Sequence, residues 1–233
     1  MKRFSRPFFT LAFALIGFSL AAQNPLFTVG IRGGLTLSTV QISQPSVPGS
    51  GLKPGFAIGV TTAYHFQDNW FLQSGLSFIT KGAKITGTAP LGFDEQMINP
   101  GRDAVLISHQ HYVQLPVHLG YSLKIRPATR LVLNAGPYVA QGIGGKTRLT
   151  GDLIFGDMIE NTTLEEKTFG GKGLKAFDYG LGAGVGFEFE KNALRLQYDL
   201  GLRDIGPVGG SFLPFYSSSY KNRNISLQLE IRF

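Results

Sequence analysis

Cysteine is absent from the 233 residues, and only 16% of them are charged. Without Cys there is no disulfide framework, no thiolate zinc site and no cysteine nucleophile. The charge content falls well below the quarter usual for soluble domains, yet at 43% hydrophobic the chain is too apolar for a disordered protein. Beyond the N-terminal segment no run of 18 apolar residues occurs, which excludes a transmembrane helix. Helical periodicity is nearly missing, and the 31 glycines follow no three-residue repeat, which excludes collagen. What the chain does hold is Gly, Phe and strict alternation, at a length that suits one all-β domain.

Residues 1–22 have the layout of a secretory signal peptide. Lys2, Arg3 and Arg6 precede an apolar stretch from Phe8 to Leu20, and the small residues Ala21 and Ala22 follow. Thirteen residues are too few to span a membrane comfortably, so this segment predicts export with cleavage and a mature domain over 23–233. Its removal takes three of the 22 basic residues and none of the 15 acids, which lowers the formal charge from +7 to +4. The remaining charges are scattered, with no basic stripe, so a nucleic-acid partner is excluded.

Alternation recurs along the mature chain. Leu194, Leu196, Tyr198, Leu200 and Leu202 interleave with Arg195, Gln197, Asp199, Gly201 and Arg203. Ile225, Leu227, Leu229, Ile231 and Phe233 do the same against Ser226, Gln228, Glu230 and Arg232. A period of two places each set on its own strand face. Six further segments, 27–38, 55–66, 70–80, 110–123, 131–143 and 177–190, carry the pattern and bring the expected strand count to eight. Long connections (39–54, 81–109, 144–176, 204–222) alternate with short ones (67–69, 124–130, 191–192). Transmembrane barrels sort their loops in this way, with short periplasmic turns and long extracellular loops. The expected fold is therefore all-β, an eight-stranded antiparallel up-and-down barrel in the bacterial outer membrane.

In lipid the alternation is inverted, with apolar residues outward and polar ones inward. The expected interior polar network comprises Arg32, Asp178, Glu188, Arg195, Asp199, Arg203, Glu230 and Arg232, with the glycines of 177–190 leaving room for larger neighbours. Such a filled interior predicts a rigid plug in place of a wide channel. Aromatic residues near strand ends, among them Phe27, Tyr64, Phe66, Trp70, Tyr121, Phe177, Tyr179 and Phe189, are expected as interfacial girdles in contact with membrane lipid. Phe233 closes an amphipathic strand, a terminal pattern that resembles the signal by which the barrel-assembly machinery recognises its clients.

Motifs that could carry chemistry are few. Gly142-Ile143-Gly144-Gly145-Lys146-Thr147 looks like the end of a phosphate-binding loop but has Ala140 where its first Gly belongs, and no helical pattern follows. His109 and His111 share a strand face and could chelate a metal if a third ligand came from Asp94, Glu95 or Asp103. Ser108 beside His109 suggests a rim hydrolase, without the register that a triad needs. His65 and His118 read as interior hydrogen-bonding residues. None of these motifs implies a catalytic set, a cofactor or a metal.

Several segments together bear a family resemblance: Gly30-Ile31-Arg32-Gly33-Gly34-Leu35, Tyr112-Val113-Gln114-Leu115-Pro116-Val117, Gly136-Pro137-Tyr138-Val139-Ala140 and Phe177 to Glu188. The chain resembles the PorT-type outer-membrane β-barrel family of Bacteroidetes. That resemblance implies the fold and the compartment; the family's named member is associated with the type IX secretion and gliding apparatus, which leaves an envelope or secretion-system protein open as a partner of this chain. It carries no catalytic residue onto this chain. The readings that follow are a structural or interaction barrel, a lipid-modifying hydrolase at the rim, or a narrow pore.

Overall fold

The alternating segments close into a wall. In the computed structural model, which describes residues 26–42, 50–87, 91–93, 96–98, 104–155, 158–171, 173–206 and 219–233, the strands are β1 (Phe27–Ile42), β2 (Lys53–His65), β3 (Trp70–Gly87), β4 (Leu91–Phe93), β5 (Gln96–Ile98), β6 (Ala104–Arg126), β7 (Thr129–Gly144), β8 (Lys146–Phe155), β9 (Met158–Lys167), β10 (Phe177–Phe189), β11 (Asn192–Gly201) and β12 (Tyr220–Arg232). Eight of them form the ring β3-β2-β1-β12-β11-β10-β7-β6, closed by pairing of β3 with β6. Every ring pairing is antiparallel, and the strands from the two ends of the domain meet where Gly30 faces Arg232. The expected signal segment, 1–22, lies outside the described residues.

Polarity in this wall is inside out. Leu35, Leu196, Leu227 and Phe187 project outward and are exposed, whereas Arg195 and Glu230 are each only 4% exposed at the centre. On β10 the outward face runs from Phe177 to Phe189, 12 residues apart. At about 3.3 Å per residue and a tilt near 40° this is about 30 Å, enough to cross a bilayer's hydrocarbon. Rings gather at the short-turn end, where Phe27 and Tyr64 lie 4.9 Å apart between centroids and Trp70 meets Tyr121 edge-on at 4.9 Å.

The glycines of β10 leave space that others fill. A Cβ on Gly182 would lie 2.9 Å from atoms of Asp199, Gln197 and His118, and one on Gly186 would lie 2.9 Å from Cγ of Arg195. These inward glycines thus admit the large polar side chains of the neighbouring strands.

The connections differ from expectation in one respect. Segments 81–109 and 144–176 are largely hydrogen-bonded strand, because β3 runs on to Gly87, β6 begins at Ala104, and β8 with β9 forms a hairpin paired onto the start of β6. Polar and Gly-rich composition there reads as loop, yet beyond a bilayer a sheet needs no apolar face. The short turns fall where expected to within a few residues, at 66–69, 127–128 and 190–191 against 67–69, 124–130 and 191–192. In the last of these Glu190 adopts φ 48°, a left-handed conformation that two-residue hairpins use.

Candidate functional site

Two regions hold the chemistry: the polar lumen and the long-loop rim. Near the short-turn end of the lumen, ion pairs run along four neighbouring strands. Arg32 Nε lies 3.4 Å from Glu230 Oε2, Arg195 bridges Glu230 at 3.1 Å and Glu188 at 2.7 Å, and Arg232 reaches Glu188 at 2.7 Å. Arginine suits this role, since its planar fork serves two carboxylates at once.

Higher in the lumen the contacts cross it instead. Asp199 accepts a hydrogen bond from Gln114 at 3.1 Å, and Gln73 accepts one from Asn134 at 3.2 Å. Asp178, fully buried, lies 3.5 Å from Lys81 Nζ, accepts from Asn222 at 3.1 Å and meets the Tyr138 hydroxyl at 3.5 Å. Lys81 is also fully buried, with its ammonium 4.5 Å from the centroid of Tyr138 and 5.2 Å from that of Tyr112. The electron-rich ring faces and the single carboxylate share the solvation of this cation. Gln110 donates across the ring to the Tyr220 hydroxyl at 3.2 Å.

The structure thus brings Arg32, Glu188, Arg195, Glu230 and Arg232 into one chain of ion pairs and places Asp178 and Asp199 in the cross-lumen contacts above it. Arg203 is a correction. β11 ends at Gly201, Leu202 and Arg203 turn back so that both backbone amides point to the Tyr179 carbonyl, and the Arg203 guanidinium stacks 5.0 Å over the Phe177 ring. It lies outside the interior set because the ladder stops before the alternation of residue types does. Phe233 donates its backbone N–H to Val29 O at 2.8 Å, and its ring is exposed on the lipid-facing side. His118 is buried inward, and His65 shares a 3.4 Å hydrogen bond with Thr28. Lys81, Tyr112, Tyr138 and Asn222 were not in the expected network. One more step of the alternation Gln73, Gly75, Ser77, Ile79 would have reached Lys81.

At the rim, one extra residue matters. Tyr112 pairs with Gly142 but His111 with Gly144, so Ile143 is a bulge in β7 and the inward-outward phase reverses beyond it. Lys146 and Arg148, which an unbroken alternation would turn inward, therefore face out beside His109 and His111. Gly145 follows the bulge at φ 137°, a conformation open to glycine and strained for other residues. Glu165 on β9 accepts from Lys146 at 2.5 Å and from Arg148 at 2.9 Å. These two bonds hold its carboxyl below the usual glutamate range. Burial lowers the His109 imidazole, and Lys53, His111 and Arg148 add to the shift.

The chemical motifs resolve as strand geometry. The Gly142–Thr147 run joins two strands, with no helix to cradle a phosphate. Ser108 and His109 lie on opposite faces: Ser108 is buried and accepts from the Thr147 hydroxyl at 3.3 Å, while His109 is outward. His109 and His111 do share a face, but no cluster of three metal-ligating residues exists among the described residues. Asp94, Glu95 and Asp103 lie outside them.

Residues 21–206 match the family described as outer membrane protein beta-barrel domain. Among solved structures the chain is similar to Ail, the attachment invasion locus protein of Yersinia pestis, at 16% identity over 88% of this chain and 98% of that one, with a TM-score of 0.38. It is also similar to Neisserial surface protein A, at 13% identity over 89% and 97% with a TM-score of 0.40, and to the outer membrane protein OprG from Pseudomonas aeruginosa, at 12% over 88% and 95% with 0.43. A search of the curated proteins finds no match.

Proposed function

Because the chain belongs to the outer membrane protein beta-barrel domain family, we propose that it is a structural or interaction barrel whose extracellular sheet engages an envelope protein. Its short turns face the periplasm and its long end faces outward. The supporting observation is the sheet at that end: β6 is 23 residues long, about twice the 9–11 that a tilted strand needs to cross the hydrocarbon. Paired strands held beyond the bilayer form a firmer surface than loops do. The buried lumen, filled by Arg195, Glu230, Lys81, Asp178, Tyr112 and Tyr138, weighs against a pore. The opposed faces of Ser108 and His109 weigh against a hydrolase at that pair.

The partner in this reading belongs to envelope assembly or to a type IX secretion apparatus, which the PorT-type resemblance supports. Residues 1–22 serve as the export signal and Phe233 as the mark for barrel insertion. The test replaces 149–164 by a tight turn in the native host, followed by mild crosslinking. A shortened barrel that still shows heat-modifiable gel migration should lose its crosslinked partner and reproduce the envelope or secretion defect of the full deletion. Unchanged crosslinks, or a full deletion with no envelope or secretion phenotype, would overturn the reading. Planar-bilayer conductance should stay at background.

A further inference from the structure

Outside the wall, at the fork where β9 leaves β8 and β10 joins β7, lies a concavity of about 750 Å³. Its floor is bare backbone at Gly142, Gly144 and Gly145, and its walls carry His109 and His111 from β6, Lys146 and Arg148 from β8, and Glu165 and Lys167 from β9. Among the described residues three full cations stand there against one carboxylate. Lys146 and Arg148 keep 71% and 58% of their side-chain surface exposed despite pairing with Glu165. Each has donors to spare, since an ammonium has three and a guanidinium five. Among the described residues Lys167 has no acidic partner.

The position of this concavity narrows its occupant. On β6 the outward series Leu123, Leu119, Val117, Leu115 and Val113 gives way to His111 and His109. On β7 the series Leu133, Ala135, Pro137 and Val139 gives way to Gln141, which pairs with Phe177 at the end of the apolar face of β10. The cations therefore begin where the hydrocarbon band stops, at the level of outer-leaflet headgroups, and they face lipid. Charges on that face are costly within the band and tolerated at its edge. The Ile143 bulge alone turns Lys146 and Arg148 this way, and Ile143 itself stays exposed beside them for an acyl chain.

We infer that this concavity is a binding site for the phosphorylated headgroup of an outer-leaflet glycolipid. Lys146, Arg148 and Lys167 hold the phosphate, the histidines donate to sugar or phosphate oxygens, and the apolar wall below receives the acyl chains. The volume falls in the usual range of small-molecule sites. This site is independent of any protein partner at the hairpin tip.

The experiment uses the full chain refolded into phosphatidylcholine nanodiscs containing a few mole per cent of a bis-phosphorylated diglucosamine lipid. Native mass spectrometry counts the lipid retained. Wild type should retain the phosphorylated lipid and not its dephosphorylated counterpart. The variant K146Q/R148Q/K167Q should bind at least about tenfold more weakly, while K124Q at the periplasmic end should bind as wild type does. Heat-modifiable migration shows that each variant is folded, and Lys167→Glu alone, which leaves both Glu165 pairs intact, should still weaken retention. Equal retention by wild type and the triple variant, or equal retention of the dephosphorylated lipid, would overturn the site. Displacement of the lipid by inorganic phosphate at millimolar concentration would make it a free-anion site and overturn the lipid assignment.

Discussion

The two charged layers of the lumen solve one problem in opposite ways. Near the periplasmic end Arg32, Glu230, Arg195, Glu188 and Arg232 link β1, β12, β11 and β10 side by side, and each internal member has two partners. Near the extracellular end a single pair among the described residues, Lys81 with Asp178, reaches across the lumen from β3 to β10. The lateral layer has redundancy, so a lost contact leaves a neighbour still paired. The transverse layer has none, and leans on Tyr112, Tyr138 and Asn222 to complete the solvation of its two charges. Arginine forks appear where several carboxylates must be shared, and lysine where one compact charge sits among rings.

The largest expected effect follows from that contrast. Asp178→Asn leaves a buried ammonium facing only an amide and two rings, and should destabilise the barrel by about 3–5 kcal/mol, read by urea unfolding in phosphatidylcholine vesicles. The double variant Lys81→Met with Asp178→Leu should recover most of this loss, because replacing both charges by apolar groups removes their desolvation cost. A double variant no better than the single one would mean that the pair itself is net favourable. In the lateral layer Arg232→Gln should cost about 1–2 kcal/mol, since Glu188 keeps Arg195. If it costs more than Asp178→Asn, redundancy is not what separates the two layers.

The smallest effect lies outside the lumen, at Glu165. Its folded-state pKa is depressed by the hydrogen bonds from Lys146 and Arg148. The linkage sign follows: any stabilisation of the β8–β9 hairpin is present above the unfolded glutamate pKa and lost as pH falls through the lower folded value. NMR titration should show the Glu165 midpoint below the ordinary range and its return on K146Q/R148Q, with no change in global unfolding. The lumen pairs should decide stability, and this exposed one should not.

The wall was legible in the sequence because period-two alternation and loop parity both follow directly from lipid outside and side chains inside. Leu194 to Leu202 and Ile225 to Phe233 gave the outward face, and Arg195 and Glu230 the inward one. Three features were less visible. Arg203 continues the alternation of residue types after the hydrogen-bonded ladder has ended, and side-chain pattern does not report backbone pairing. Lys81 sits where Gly82 and Lys84 make the chain look like loop, although the strand runs on. The rim concavity depends on one bulged residue, Ile143, and a phase reversal of that kind exists only as register between two strands. The signal is there in hindsight, as a Gly-rich break followed by Lys146 and Arg148 in the opposite phase.

The seam between β1 and β12 has a consequence in time. Gly30 and Arg232 are neighbours in the wall although about two hundred positions separate them in the chain. Pairing between strands that are neighbours in sequence therefore leaves two raw borders, and the seam has nothing to fasten until β12 is in place. Until then the unpaired amides on those borders turn to water or to another chain, and the cylinder is complete only with that last pairing.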